Sequence, residues 1–241
     1  MRPGRQIGQT PDKADKAYNS ANDLQRAGQF ELAVAQYDRA LKFRPKWPEA
    51  LTNRGVALLI LDRAEDAVAS YDRALAIRPT FALALSNRGN ALCRLGRHHQ
   101  ALMSYDQALV IQPDYPEALQ NRGTALHALG RYQEALESFD SVLAVRPNAD
   151  ALLGRGSALI ALRRSGEALE SCIRAKALRP NHAETLNTLG NALCDLNRLD
   201  EALAIYGQAI AIKPDLAGAY YNRGNVLQTL GRLEEQLARA G

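Results

Sequence analysis

Asparagine side chains recur at a fixed spacing along this 241-residue chain, with Asn53, Asn87 and Asn121 each 34 residues after the one before. A side-chain amide has one acceptor and two donors, so it can bind a peptide unit regardless of the side chains around it. It carries no charge, and it therefore costs less to desolvate than Lys or Glu. We expect a row of such amides to bind an extended peptide; the alternative is that they make local hydrogen bonds. The candidate peptide-binding residues are Asn19, Asn22, Asn53, Asn87, Asn90, Asn121, Asn187, Asn191, Asn222 and Asn225.

Arginine follows several of these asparagines directly, on a face that is otherwise apolar. An aspartate stands 15 or 16 residues before each of four arginines, and at Ile173 and Leu189 both charges are lost together. This pattern predicts ion pairs that join successive segments of the chain, with the arginine stem packed on apolar neighbours and its head on a carboxylate. The rival interpretation is an arginine that binds an acidic partner. The predicted structural pairs are Asp38–Arg54, Asp72–Arg88, Asp106–Arg122 and Asp140–Arg155.

Residues that could carry catalysis or hold a metal do not form a recognisable constellation. Cys93, His127 and Cys194 share one helical stripe, but Ile160 interrupts it, and a metal needs three or four converging ligands. The chain has neither a glycine-rich phosphate loop nor the spacing of a catalytic triad. We therefore predict no catalytic residue, no metal, no cofactor and no enzymatic activity in this chain.

Composition narrows the class of protein further. The 30 Lys and Arg are interleaved with 26 Asp and Glu, and the net charge is only +4, so no basic patch predicts nucleic-acid binding. The three cysteines are too few and too scattered for a disulfide framework, which favours a reducing compartment and a cytoplasmic location. Neither a signal peptide nor an apolar run long enough to span a membrane is present.

The asparagines and arginines belong to a repeated phrase. SNRGNALCRLGR at 86–97 recurs with small changes at 52–63, 120–131 and 221–232. Such self-similarity indicates a repeat architecture. The period is 34 residues, with one repeat a residue shorter, and residues 1–13 are predicted to be a flexible tail. Repeats 1 to 7 span 14–47, 48–81, 82–115, 116–148, 149–182, 183–216 and 217–241, the last of them incomplete.

The pattern within each repeat predicts two helices joined by a turn. Counting from 1 within a repeat, residues at positions 8, 20 and 27 are small, position 11 is leucine and position 24 is usually aromatic. Small residues let two helices approach closely, while the leucine and the ring fill the remaining space. Proline at position 32 ends the second helix in six repeats. Glycine at position 15 is suited to the left-handed end of the first helix, as at Gly28, Gly96, Gly130 and Gly231.

These columns resemble the tetratricopeptide repeat over residues 14–241. The resemblance implies an all-α fold, a right-handed α-α superhelix (a solenoid) of about seven helix–turn–helix repeats. It also implies that first helices line a concave groove that binds peptides or protein segments. The asparagines resemble the asparagine-lined repeats of O-GlcNAc transferases. They do not resemble a carboxylate clamp, because position 2 is mostly acidic.

Two functions of different classes follow. The first is a protein-interaction scaffold that holds an extended segment of another protein in its groove. The second is the substrate-docking part of a glycosyltransferase of the O-GlcNAc type, with its catalytic domain outside this chain. The last repeat has no polar capping helix, so self-association through that end is a third expectation. Repeat 5 departs most from the pattern, with Gly154, Arg163, Ser165 and Cys172, and we predict that local opening begins there.

Overall fold

A computed structural model describes residues 12–240 of the chain, with side chains up to residue 231. The chain divides into two compact parts, Met1–Ala118 and Leu119–Gly241. Over the described residues the structure consists of thirteen α-helices, with no strand. This confirms the predicted all-α fold. The predicted tail lies outside the described residues up to residue 11, and Asp12 caps the helix that begins at Lys13.

The N-terminal part holds three helical hairpins and the start of a fourth. Asp12 stabilises the first helix by accepting a hydrogen bond from the backbone N–H of Asp15 at 2.8 Å. Proline begins the third helix, where its missing N–H is not needed. The helices are α1 (Lys13–Arg26), α2 (Phe30–Phe43), α3 (Pro48–Ile60), α4 (Ala64–Ile77), α5 (Ala82–Arg94), α6 (His98–Ile111) and α7 (Pro116–Ala128), and the boundary between the parts falls within α7.

The C-terminal part repeats the arrangement. Asn148 caps α9 by accepting from the N–H groups of Asp150 and Ala151. The helices are α8 (Tyr132–Val145), α9 (Ala149–Ala161), α10 (Ser165–Leu178), α11 (Ala183–Asp195), α12 (Leu199–Ile212) and α13 (Ala217–Ala240).

The turn within a hairpin is built the same way in both parts. The residue at position 15 has a positive φ, and the N–H that follows it donates back to the carbonyl of the leucine at position 11, as from Arg97 to Leu92 at 2.8 Å. This is the hydrogen bond of a Schellman cap. Gly96 adopts φ +70° without strain, whereas Arg163 is held at φ +61°.

Tight packing between the two helices of a hairpin explains the small residue at position 8. A Cβ added to Gly89 would lie 2.4 Å from the ring of Tyr105, which is buried on the facing helix. The same ring-on-glycine contact joins α11 to α12 through Gly190 and Tyr206. The aromatic core of each of these hairpins therefore depends on a missing side chain opposite the ring.

The expectation that Gly231 ends a first helix was wrong. The last helix continues from Ala217 to Ala240 without a turn. The residues after Gly231 are mostly Leu, Glu, Gln, Ala and Arg, which have high helix propensity, so continuing the helix is locally favourable.

Candidate functional site

The predicted asparagines lie along one face of the first helices. We call the surface formed by positions 5, 6, 9, 12 and 13 of these helices the asparagine face. Asn19 and Asn225 are exposed on it. The others are half-buried: Asn22, Asn53, Asn87, Asn90, Asn121, Asn187, Asn191 and Asn222.

In the N-terminal part a hydrogen-bond network links repeats 1 and 2. The buried Tyr37 hydroxyl lies 2.7 Å from Asn22 Oδ1 and 3.0 Å from Gln25 Oε1, and its single proton is shared between these two acceptors. Asn53 Nδ2, from the next repeat, donates to the same Asn22 oxygen and to the Tyr18 hydroxyl, both at 3.1 Å. The Asn22 oxygen therefore satisfies a buried hydroxyl and joins two repeats.

The C-terminal part contains an equivalent network between repeats 6 and 7. The Tyr206 hydroxyl donates to Asn191 Oδ1 at 2.7 Å. Asn222 Nδ2 donates to Asn191 Oδ1 at 2.8 Å and to Asn187 Oδ1 at 3.2 Å. In both networks the asparagine oxygen at position 9 accepts two hydrogen bonds. One comes from the tyrosine hydroxyl at position 24 of the same repeat, and the other comes from the asparagine at position 6 of the next repeat.

These contacts define what each amide still has to offer a ligand. Both N–H groups of Asn53 and of Asn222 are engaged inside the protein, while their side-chain oxygens accept no hydrogen bond from another described residue. Each of these asparagines can accept from a ligand N–H. Both interpretations of these asparagines therefore hold, for different atoms. The side-chain N–H groups make local hydrogen bonds, and the side-chain oxygen is available to a ligand.

Two concave pockets open on the asparagine face, at equivalent places in the two parts. The first has a volume of about 610 Å³ and is lined by Tyr18, Asn22, Gln25, Arg26, Phe30, Asn53 and Ile60. The second has a volume of about 450 Å³, and its lining includes Asn191, Cys194, Asp195, Asn222, Asn225 and Thr229. Both combine the network asparagines with apolar side chains, and both volumes lie in the range of known binding pockets.

The charge beside the two pockets differs. Position 13 is Arg26 in the first pocket and Asp195 in the second. Arg26 is exposed and also contacts Asp23 at 3.0 Å. Asp195 accepts a hydrogen bond from the Ser165 hydroxyl at 2.9 Å. The first pocket therefore suits an acidic neighbour and the second a basic one.

Three of the predicted aspartate–arginine pairs form in the structure, two in the N-terminal part and one in the C-terminal part. The Nε–Oδ1 distances are 2.7 Å for Arg54–Asp38, 2.6 Å for Arg88–Asp72 and 2.6 Å for Arg155–Asp140. The arginine side chains are 18–27% exposed and the aspartates about half exposed. Because the carboxylates are well hydrated, each pair contributes about 0–1 kcal/mol. Asp106 and Arg122 lie on opposite sides of the boundary between the parts.

A serine partner of each arginine was not predicted. The arginine Nη1 donates to a buried serine hydroxyl at position 23 of its own repeat, at 2.6–2.7 Å. That hydroxyl donates in turn to the carbonyl four residues earlier. A signal was present in the sequence, because repeat 6 replaces this serine with Ile205 where it also has Leu189. The arginine–serine pairs are Arg54–Ser70, Arg88–Ser104, Arg122–Ser138 and Arg155–Ser171.

A second set of ion pairs was also missed. The residue before the proline at position 32 has left the helical conformation, as at Arg78 with φ −131° and ψ 87°, and its side chain reaches the acid at position 2 of the same repeat. The acidic residues at position 2 are therefore partners of internal cations. The pairs are Arg44–Asp15, Arg78–Glu49, Arg179–Asp150 and Lys213–Glu184, at 2.6–3.1 Å.

The cysteines are placed for packing. Cys93 and Cys194 contact the hydroxyls of Tyr105 and Tyr206 at 3.6 and 3.4 Å. Cys172 is fully buried, and burial raises the pKa of its thiol to about 12. Within the described residues no three His, Cys, Asp or Glu side chains converge on a possible metal position.

His127 and Trp47 both make contacts with aromatic rings. His127 packs edge-on against the Tyr132 ring, with centroids 5.1 Å apart. The Trp47 ring centroid lies 4.4 Å from that of Tyr18, and the Arg44 guanidinium stacks on the Trp47 ring at 4.2 Å. Trp47 therefore packs inside the N-terminal part.

Over the described part of the chain, no helix combines the length and the hydropathy that crossing a bilayer requires.

The helix hairpins and their spacing define a helical repeat protein, and comparison with family models identifies the family. A model described as tetratricopeptide repeat matches residues 18–80 and 121–183, which together make up more than half of the chain. A second model with the same description matches 80–148, and a TPR repeat model matches 190–231. The chain belongs to the tetratricopeptide repeat family, as the sequence columns predicted. No curated protein matches it significantly.

Solved structures of repeat proteins share the fold at low sequence identity. A tetratricopeptide repeat protein from Parabacteroides merdae matches with a TM-score of 0.76 and 21% identity, covering 93% of this chain and 88% of that one. YrrB, described as a TPR protein with an unusual peptide-binding site, matches with a TM-score of 0.66 and 22% identity over 78% and 97% of the two chains. The Cut9–Hcn1 complex of the APC/C matches at 0.77 and 16% over 92% of this chain; the match spans only 44% of that longer chain.

Proposed function

We propose that this protein is a non-catalytic scaffold whose asparagine face binds an extended segment of another protein. The observation that carries the proposal is the pair of equivalent pockets, each lined by network asparagines and apolar side chains. Proteins of this family commonly act as interaction scaffolds, and the YrrB neighbour is itself described as having a peptide-binding site. The partner is a protein or peptide, in keeping with the absence of a basic block in the sequence.

The networks support this proposal physically. The Tyr37–Asn22–Asn53 chain of hydrogen bonds fixes the Asn53 side chain in one orientation before any ligand arrives. Its free oxygen is therefore preorganised to accept a backbone N–H, and little side-chain entropy is lost on binding. An amide contact of this kind recognises the ligand's backbone, so side-chain specificity must come from the pockets and from Arg26 or Asp195.

The test is binding of a peptide selected from a random library on the wild-type protein. We expect the triple variant with Asn53, Asn87 and Asn121 changed to Ala to lose that peptide, and the variant Gln133→Ala, changed at an exposed position on α8, to keep it. Circular dichroism and urea unfolding show whether the triple variant is folded. Failure to select any peptide, or full binding by a folded triple variant, would refute the proposal.

Other expectations stay predictions. Docking of substrates for a glycosyltransferase makes the same demand on the asparagine face, so it is distinguished by a catalytic domain on this or another chain. Self-association through the last repeat predicts a molar mass that rises with concentration in light scattering. A cytoplasmic location likewise stays a prediction.

A further inference from the structure

One step of the asparagine network is broken between repeats 2 and 3. The Tyr71 ring sits on Gly55 as Tyr105 sits on Gly89, and it is fully buried. Its hydroxyl has no hydrogen-bond partner among the described residues. In repeats 1, 3 and 6 the acceptor for this hydroxyl is the asparagine at position 9. In repeat 2 that position is Val56, which cannot accept a hydrogen bond.

The same substitution changes Asn87 at position 6 of the next repeat. Asn53 and Asn222, the equivalent residues, each donate twice to groups at positions 5 and 9 of the preceding repeat. For Asn87 those positions are Thr52 and Val56.

Thr52 gives no replacement for these acceptors. It is buried, and its hydroxyl donates to the Pro48 carbonyl at 2.8 Å. The structure gives Asn87 no hydrogen bond to any described residue, so its oxygen and both N–H groups stay free on a half-buried side chain.

The step from repeat 4 to repeat 5, where the pattern also changes, keeps its polar groups balanced. Repeat 4 has Phe139 in place of the tyrosine, with Thr124 at position 9 and Gly154 at position 6 of repeat 5. A Cβ on Gly154 would lie 2.5 Å from the Phe139 ring, so the asparagine is lost together with the hydroxyl. Among the steps that lie wholly within one part of the described chain, only this one keeps the tyrosine at position 24 and the asparagine at position 6 of the next repeat but lacks the asparagine at position 9. Val56 takes its place.

A buried hydroxyl without a partner costs stability. Positions that break a local rule without a compensating structural gain are expected to be functional. The gain at this step is a free amide, because a peptide unit offers one N–H and one C=O and an unengaged asparagine can pair with both at once. Asn53 and Asn222 can only accept, since their own donors are used.

Building on the proposed function, we propose that Asn87 is the residue that binds the ligand's backbone through two hydrogen bonds, and that Val56 keeps it free to do so. The ligand is an extended polypeptide segment with a secondary amide at this place, so proline is excluded there because it lacks the N–H. An apolar side chain next to that amide would pack on the half-buried Val56.

The test uses the library-selected peptide and two substitutions at one site. Val56→Asn supplies the missing acceptor to Tyr71 and to Asn87. We expect it to raise the urea midpoint of unfolding and to weaken peptide binding about tenfold, in line with the loss of a neutral hydrogen bond or two. Val56→Ala, the matched control, adds no acceptor and should change affinity much less. Tighter or unchanged binding by folded Val56→Asn overturns the inference.

Asn87 is tested separately by a backbone scan. N-methylation of one peptide bond of the ligand should weaken binding to the wild type about tenfold, and the same methyl group should have no further effect on Asn87→Ala. Asn222→Ala should leave the response to that methyl group intact. If Asn87→Ala binds as well as the wild type while the triple variant does not, the face binds peptide but Asn87 is not the anchor. If the triple variant keeps its binding, the proposed function fails as well.

Discussion

Removing one oxygen atom from a buried tyrosine should stabilise this protein in repeat 2 and destabilise it in repeat 3. The rings of Tyr71 and Tyr105 are 0% and 1% exposed and pack on equivalent glycines. Tyr105 donates to Asn90 at 2.7 Å, whereas Tyr71 has no partner among the described residues. The two positions therefore differ mainly in whether the hydroxyl is satisfied.

The magnitudes follow from that difference. An unsatisfied buried polar group costs about 1–3 kcal/mol, and a satisfied neutral hydrogen bond contributes about 0.5–1.5 kcal/mol. Tyr71→Phe should raise the free energy of unfolding by about 1 kcal/mol, and Tyr105→Phe should lower it by about 1 kcal/mol. For a chain of this length that corresponds to opposite shifts in Tm of about 2–4 °C each.

Urea unfolding followed by circular dichroism is the assay, because a changed midpoint with an unchanged m value reports stability alone. Both variants keep the ring, so the packing on glycine is constant. If Tyr71→Phe loses as much stability as Tyr105→Phe, the hydroxyl of Tyr71 has a partner and the network is not broken at this step.

Three further predictions concern packing and charge. Arg155→Leu should lower the free energy of unfolding by about 1–2 kcal/mol, because it leaves Asp140 and Ser171 without their arginine partner. Adding Asp140→Ile and Ser171→Ile copies the apolar residues Ile173, Leu189 and Ile205 of repeats 5 and 6 and should recover most of that loss. If urea unfolding shows no recovery, the aspartate, arginine and serine do not act as one unit. Arg163→Gly should raise the urea midpoint by relieving a left-handed backbone, by about 1 kcal/mol; a lower midpoint would show that the turn is unstrained. Burial raises the pKa of Tyr37 to about 12 from its ordinary 10, so the contribution of Tyr37 to the unfolding free energy should fall as the pH rises above about 10; an equal alkaline loss of stability in Tyr37→Phe would contradict this.

The repeat pattern made the hairpins predictable because every column has a local cause. A glycine that admits a ring, a leucine carbonyl that accepts the turn N–H and a proline that stops a helix act within one repeat. The Asp72–Arg88 pair could be predicted for a related reason, since its two columns carry opposite charges in four successive repeats and both become apolar at Ile173 and Leu189. Gly231 shows the limit of this reasoning, because the same residue type lies inside a continuous helix.

The hydrogen bonds of the asparagine face could not be predicted so fully. An asparagine offers three groups, and its type does not say which of them the protein uses. The spacing alone assigns the whole amide to a ligand, whereas Asn53 and Asn222 give both donors to neighbouring repeats. The consequence of Val56 became visible only when the structure placed the equivalent asparagines against a buried hydroxyl.

The most direct measurement is a nuclear magnetic resonance titration of the side-chain amides of the isotope-labelled protein with the library-selected peptide. We predict that the Asn87 side-chain resonances shift most and that those of Asn53 and Asn222 shift less, while Gln133 on α8 stays unchanged. Large shifts at Gln133 with unchanged Asn87 resonances would place the ligand on another surface and contradict the claim that the asparagine face is the binding site.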